Sequence, residues 1–216
     1  MNVQEAKDIL VHAVAVAEAI DPALPLLTPI AGMTSPKFRA FLNRLLYQAY
    51  PYLEIGPYLG STICAAMENN NGPFYVCDNF SEFNPSGENE SIFWQNVDKV
   101  NPTRGGLTFF NQDCFSINLD SIKEKIGVYF YDGRHLESDQ YNALKYFLPA
   151  MDDVFIYLVD DWLALPGLSD GVRKGTFNAI RDLKLTTHLH IALGSTKRDD
   201  MEEWGCGCGA FVLSKV

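Results

Sequence analysis

Residues 51–62 read "PYLEIGPYLGST". An apolar run closes on an acid, Glu54, and a turn carrying Gly56 and Gly60 follows before Ser61 and Thr62. The run has the composition of a short buried strand, and a glycine turn leading into a helix is how many open α/β sheets approach a ligand. Alone, the pattern fits several nucleotide-binding folds and some plain turns. Its surroundings decide.

Six further apolar runs follow: "FYVCD", "LTFFN", "VYFYD", "VFIYLVD", "LHIALG" and "AFVLSKV". Between them, segments near 60–70, 88–100, 117–125, 137–149 and 170–183 have helical length and spacing. Alternating strand and helix predicts a parallel sheet with helices on both faces. Only the charged, glycine-rich stretch "STKRDDMEEWGCGCG" separates the last two runs. It offers no packed crossover helix, so the final strand is expected to be antiparallel.

Upstream of residue 51 there is no strand signal. Residues 3–19 read as an amphipathic helix, with Ile9, Ala13, Val16 and Ile20 at helical spacing, and the prolines of "DPALPLLTP" stop it. Ser35 then caps a second helix opened by Pro36 and running to about Ala49. The expectation is one α/β domain over residues 1–216. It has a helical lead-in or cap over 1–50 and, over 51–216, a Rossmann-like, doubly wound core. The core sheet has seven strands, mostly parallel, with an antiparallel last strand.

Apolar content of 47% and charged content of 20% over 216 residues describe a soluble globular chain. A net charge of −10 argues against a nucleic-acid partner, because such binding rests on clustered Lys and Arg. The segment "ILVHAVAVAEAI" is too short and interrupted to span a membrane. The five cysteines include no C-x-x-C pair, which suggests a reducing, cytoplasmic setting. Cys206 and Cys208 in "WGCGCGAF" read as a glycine turn entering a strand rather than as a metal or redox pair. The partner expected is a small-molecule substrate, and a homodimer is compatible with everything above.

Ligands of open parallel sheets bind at the carboxyl ends of the strands. Here those ends are Glu54, Asp78, Gln112-Asp113, Asp132 and Asp160-Asp161. One such acid is more often a helix cap or turn former than a ligand group. Five on one edge would repel each other unless a cation or a cationic ligand sat among them. The loop G-P-Y-L-G lacks the middle glycine of G-x-G-x-x-G, which disfavours a pyrophosphate and a nicotinamide-dependent dehydrogenase. Asp78, ending the second strand, is suited to a ribose diol. An adenosine ligand with a positive charge is S-adenosylmethionine.

At "YLEIGPYLGST", "FYVCDNF" and especially "VYFYDGRHLESDQYNALKYFLPAMDDVFIYLVDDW", the chain resembles the class I S-adenosylmethionine-dependent methyltransferases. Within them it is similar to the small-molecule and sugar O-methyltransferases of the methyltransferase-24 type. The resemblance implies that Glu54, Gly56 and Gly60 form the wall and floor for the methionine part, with Ser61 supporting its carboxylate. It implies that Asp78, with Asn79, holds the ribose, and that Asp113 lies near the adenine amino group beside Gln112 and Cys114. In similar metal-dependent enzymes, residues at the positions of Asp132, Asp160 and Asp161 hold Mg²⁺, which would fix and acidify a substrate hydroxyl.

His135 is then the general base, acting beside Asp132. The chain departs from the resemblance at Arg134, where D-G-D-H would have a second acid, and at Tyr58, which replaces the middle glycine. Arg134 either binds an anionic substrate group or sits on the surface. The alternative reading is a protein of the same fold that binds S-adenosylmethionine with lost or altered catalysis, as a regulator or subunit. Two segments are free to form a lid, "SEFNPSGENESIFWQN" and "LALPGLSDGVRKGT". Their aromatics Phe83, Phe93 and Trp94, with nearby Trp162, either stack on a substrate or pack the cap, while Arg173 adds a charge.

Overall fold

The structure, a computed structural model, describes residues 1–19, 27–163, 168–194 and 203–216. Helices α1 (Val3–Glu18) and α2 (Pro36–Leu45) precede the first strand. The core then runs β1 (Tyr52–Ile55), α3 (Ser61–Met67), β2 (Phe74–Cys77), α4 (Asn89–Val100), β3 (Leu107–Phe110), β4 (Ile126–Tyr131) and α5 (Glu137–Phe147). It finishes with β5 (Met151–Asp160), α6 (Leu168–Asp182), β6 (Thr186–Leu193) and β7 (Cys208–Ser214). The seven expected apolar runs are the seven strands.

They form one sheet in the order β3-β2-β1-β4-β5-β7-β6. The first five in that order are mutually parallel, and β7 lies antiparallel to both β5 and β6. Alternate residues of each strand serve two cores. Tyr52, Val76, Val128, Phe130 and Ile156 meet the layer of α1, α2, α3 and α4. Leu53, Tyr75, Tyr129, Tyr157 and Phe211 meet α5 and α6. This double covering is why the strands are nearly continuous apolar runs.

The local signals of the lead-in act as expected. Ser35 Oγ accepts from Phe38 N at 3.1 Å to cap α2. Asn2 and Glu5 form a reciprocal capping box on α1. One expected helix is absent. Residues 117–125 hold no α-helix; two short 3₁₀ turns, Cys114–Ser116 and Leu119–Ser121, occupy the stretch before β4. Asp113 and Asn118 each bond the backbone amide two residues on, at 2.8 and 3.1 Å, and so close turns that compete with a helix. No helix among the described residues is long and apolar enough to cross a membrane.

The chain order reverses between β1 and β4, which opens a crevice above their carboxyl ends. Two glycines make it. Gly56 has φ +85°, and a Cβ there would lie 2.0 Å from the carbonyl oxygen of Asp132. Gly60, at φ +86°, turns the chain into α3 with Phe93 packed against it.

Candidate functional site

A cavity of about 630 Å³ opens in that crevice. Strand ends supply most of its wall: Gly56 after β1, Asp78 and Asn79 after β2, Gln112 to Phe115 after β3, Asp132 to His135 after β4, and Asp160 and Asp161 at β5. Helix α2 and the approach to it add Met33, Thr34, Ser35 and Phe38, and the turn before β7 adds Trp204, Gly205 and Cys206. Sequence reasoning gave no cavity role to these last seven, because they come from distant segments with no local signal of their own.

Asp78 is the best-anchored acid. Its two carboxylate oxygens accept from Phe80 N at 2.8 Å and Tyr58 N at 3.1 Å. The second bond ties the glycine loop to the end of β2. Burial pushes the Asp78 carboxyl up, against the pull of these amides. Each oxygen retains acceptor capacity for a further donor, as a diol requires. Tyr58 sits at φ +51°, a left-handed conformation that is uncommon for a bulky residue and concentrates at functional sites. Asp113 lies farther along the wall, with Oδ1 engaged in its own turn. Asn79 is exposed at the rim and accepts from Ser81 N at 3.1 Å.

Three residues expected at the cofactor do not line the cavity. Glu54 is fully buried on the α3 side of β1, where Tyr52 Oη donates to it at 2.8 Å and the Thr62 hydroxyl donates to its other oxygen. Burial raises its carboxyl to about 7. Ser61 is covered by the Ile30–Gly32 segment; its hydroxyl donates to Ile30 O at 3.4 Å, and Gly32 leaves no room for a Cβ over it. Gly60 faces Phe93 rather than the cavity.

The opposite part of the wall carries the other acids. Asp132 and Asp160 share a hydrogen bond, and burial pushes both carboxyls up, reinforced by the charges of neighbouring carboxylates. Asp161, at φ +56°, faces His135, with Oδ2 3.4 Å from Nε2; His135 Nδ1 is enclosed without a protein partner. The backbone just beyond is fixed. Trp162 N and Leu163 N donate to Gly207 O and Cys206 O at 3.2 and 3.0 Å, and the buried Trp162 ring lies under Gly209.

These three acids converge, but not as a metal cage. Among the described residues no group of three or more His, Cys, Asp or Glu side chains is arranged to hold a metal ion. The expected Mg²⁺ set of Asp132, Asp160 and Asp161 finds no support in this arrangement: Asp132 and Asp160 share a hydrogen bond, and Asp161 faces the imidazole.

Around the mouth, Arg134 is exposed and pairs through Nε with Glu82 Oε1 at 3.1 Å, pointing to the surface alternative. Of the candidate lid aromatics, Phe83 lines the cavity. Phe93 is fully buried against Phe80 and Phe109, and Trp94 packs on Phe109 and under the Arg104 guanidinium. Arg173 Nη1 donates to Trp162 O at 3.1 Å. Residues 164–167 of the second lid segment lie outside the described residues.

The wall at Trp204 is braced from the lead-in. Its Nε1 donates to Glu18 Oε1 at 2.8 Å, and Lys37, whose side chain is 8% exposed, bonds both Glu18, at 3.0 Å, and Glu203. As expected, the Gly205–Gly207 stretch is a turn, with Gly207 N donating to Trp204 O at 3.1 Å.

No protein-family model matches this chain, and no curated protein matches it in sequence. Solved structures match its shape. The SAH-bound Podospora anserina methyltransferase PaMTH1 superposes with a TM-score of 0.62 at 13% identity, over 94% of this chain and 87% of that one. The O-methyltransferase TomG of Streptomyces achromogenes, in complex with SAM, gives 0.59 at 15% identity, over 96% and 90%. An O-methyltransferase of Bacillus cereus in complex with SAH gives 0.57 at 13%, over 96% and 91%. At such identities the likeness speaks for the fold. The chain has the fold of the S-adenosylmethionine-dependent class I methyltransferases.

Proposed function

We propose that this protein is a cytoplasmic methyltransferase that binds S-adenosylmethionine in the cavity and transfers its methyl group to an oxygen of a small molecule or sugar. The observation that carries the reading is Asp78. It stands at the end of β2 in a methyltransferase-fold cavity, held by two backbone amides, one of them from the loop at Gly56. That arrangement presents two carboxylate oxygens to a ribose diol beside a glycine turn that lets a ligand approach the backbone. Asp113 and Gln112 continue the same wall past β3, where an adenine would follow the ribose.

The transfer is a direct displacement. An acceptor oxygen forms a bond to the methyl carbon as the sulfur–carbon bond breaks, leaving neutral S-adenosylhomocysteine. The hydroxyl proton must leave, and the His135–Asp161 pair is the acceptor for it, the carboxylate orienting the imidazole and stabilising its charged form. Asp132 and Asp160, joined by a hydrogen bond, lie on the same wall beside them. Arg134 turned out towards Glu82 leaves this pair unobstructed, which favours catalysis over a purely ligand-binding role.

The reading is tested by calorimetric titration of S-adenosylhomocysteine into the wild-type protein and Asp78→Ala. Wild-type binding is expected, weakened roughly 10- to 100-fold in the variant as two charge-assisted hydrogen bonds are lost. A wild-type protein that binds no S-adenosylhomocysteine, or a variant that binds it equally well, would overturn it.

A further inference from the structure

The described lining of the cavity is rich in carboxyl groups. Beyond Asp78 and Asp113, its lining includes Glu82, Asp132, Asp139, Asp160 and Asp161. Among the described residues the permanent cation of the same wall is Arg134, which is exposed and already committed to Glu82. One oxygen of Asp139 is enclosed with no hydrogen-bond partner in the protein. S-adenosylmethionine brings a sulfonium, an ammonium and a carboxylate, so it adds a single net positive charge. Carboxylates gathered inside a walled cavity focus a field that draws cations in and keeps anions out.

Among the described residues no group of three or more His, Cys, Asp or Glu side chains is arranged to hold a metal ion, and an acceptor with a positive charge of its own would balance the wall. The mouth offers a second feature that suits a cation. Tyr58 and Phe83 meet edge to face with centroids 6.5 Å apart, and Phe83 is 68% exposed, in a left-handed backbone conformation at φ +50°. An aromatic ring left in water at a cavity mouth, beside a second ring, is a surface for a flat or cationic group.

Building on the methyl-transfer reading above, we propose that the acceptor is a cationic small molecule: a hydroxyl compound bearing a protonated amine, drawn in past the Tyr58 and Phe83 rings and held in the field of Asp139 and Asp161. The amine balances the wall, and the hydroxyl is presented to the methyl group.

The test uses three phenols that share a ring and hydroxyl and differ in the charge at the far end: tyramine (cationic), tyrosol (neutral) and 4-hydroxyphenylacetate (anionic). Each is titrated into protein saturated with S-adenosylhomocysteine, in EDTA and again in Mg²⁺. Tyramine is expected to bind about tenfold more tightly than tyrosol, the margin of a desolvated cation–ring contact reinforced by carboxylates. The margin should shrink with added salt. It should shrink also in Phe83→Ala and Asp161→Asn, while S-adenosylhomocysteine affinity holds. Equal or tighter binding of tyrosol or 4-hydroxyphenylacetate in EDTA overturns the proposal, as does an absence of tyramine binding. Binding of the anion in Mg²⁺ alone also overturns it, by assigning the balancing charge to a metal. If S-adenosylhomocysteine itself does not bind, the methyl-transfer reading falls, and the acceptor falls with it.

Discussion

Glu54→Gln is the perturbation whose consequence the structure sets most closely. The carboxyl of Glu54 is fully buried, and its two oxygens are met by the hydroxyls of Tyr52 and Thr62. Burial outweighs those bonds and lifts its carboxyl from an ordinary 4.5 to about 7. The native state thus binds a proton at Glu54 that the unfolded chain releases between those two pH values. Stability must then fall as pH rises from about 4.5 to about 7, and level off above. At about 1.4 kcal/mol per pH unit, the full drop assigned to this residue is about 3 kcal/mol.

Gln keeps the carbonyl acceptor and cannot titrate, and the Tyr52 hydroxyl can rotate to accept from the new amide. Denaturant unfolding of both proteins, followed by circular dichroism from pH 5 to 8, isolates the residue as the difference between the two curves. Wild type is expected to lose about 3 kcal/mol relative to Glu54→Gln across that range. Parallel curves would refute the reasoning, as would a wild-type advantage that grows with pH, since either would mean that Glu54 is ionised throughout.

Three further outcomes are expected. His135→Ala should lower the methyl-transfer rate by about 10² to 10⁴, the usual worth of a positioned base, with S-adenosylhomocysteine affinity unchanged by calorimetry. Gly56→Ala should cost at least about 3 kcal/mol in denaturant unfolding, because a Cβ at positive φ would collide with Asp132 O. Lys37→Met should cost on the order of 1 kcal/mol, given that Glu18 and Glu203 are half exposed, and should shift Trp204 fluorescence to the red as its brace loosens.

The strands were legible because both faces of the sheet are covered, so each strand is written as an unbroken apolar run. The acids were legible for the same reason: a strand's end in sequence is its end in space. The facing of Glu54 was legible too. It shares parity with Tyr52, and a period of two puts both on the α3 side, away from the crevice.

The stretch 117–125 misled because it has the length of a short helix between two strands, while the turns are set by the short side chains of Asp113 and Asn118. The burial of Ser61 beneath Ile30–Gly32, and the arrival of Met33, Phe38 and Trp204 at the cavity, are contacts between distant segments. No local pattern encodes them.

The place of β7 bears on how the protein is made. It is the last of the seven strands in chain order, yet it lies between β5 and β6, which do not pair with each other. While a ribosome is still delivering residues 208–214, β5 has one flank without hydrogen-bond partners, and β6 has no seat in the sheet. The stretch around Asp160 and Asp161 is therefore finished last, when Cys208 pairs with Asp160 and Gly207 receives Trp162. The half of the cavity formed by β1 to β4 can take shape before β7 arrives, whereas the half at Asp160 and Asp161 waits for it. A nascent chain of this protein would then complete the wall around Asp78 before the wall around Asp160.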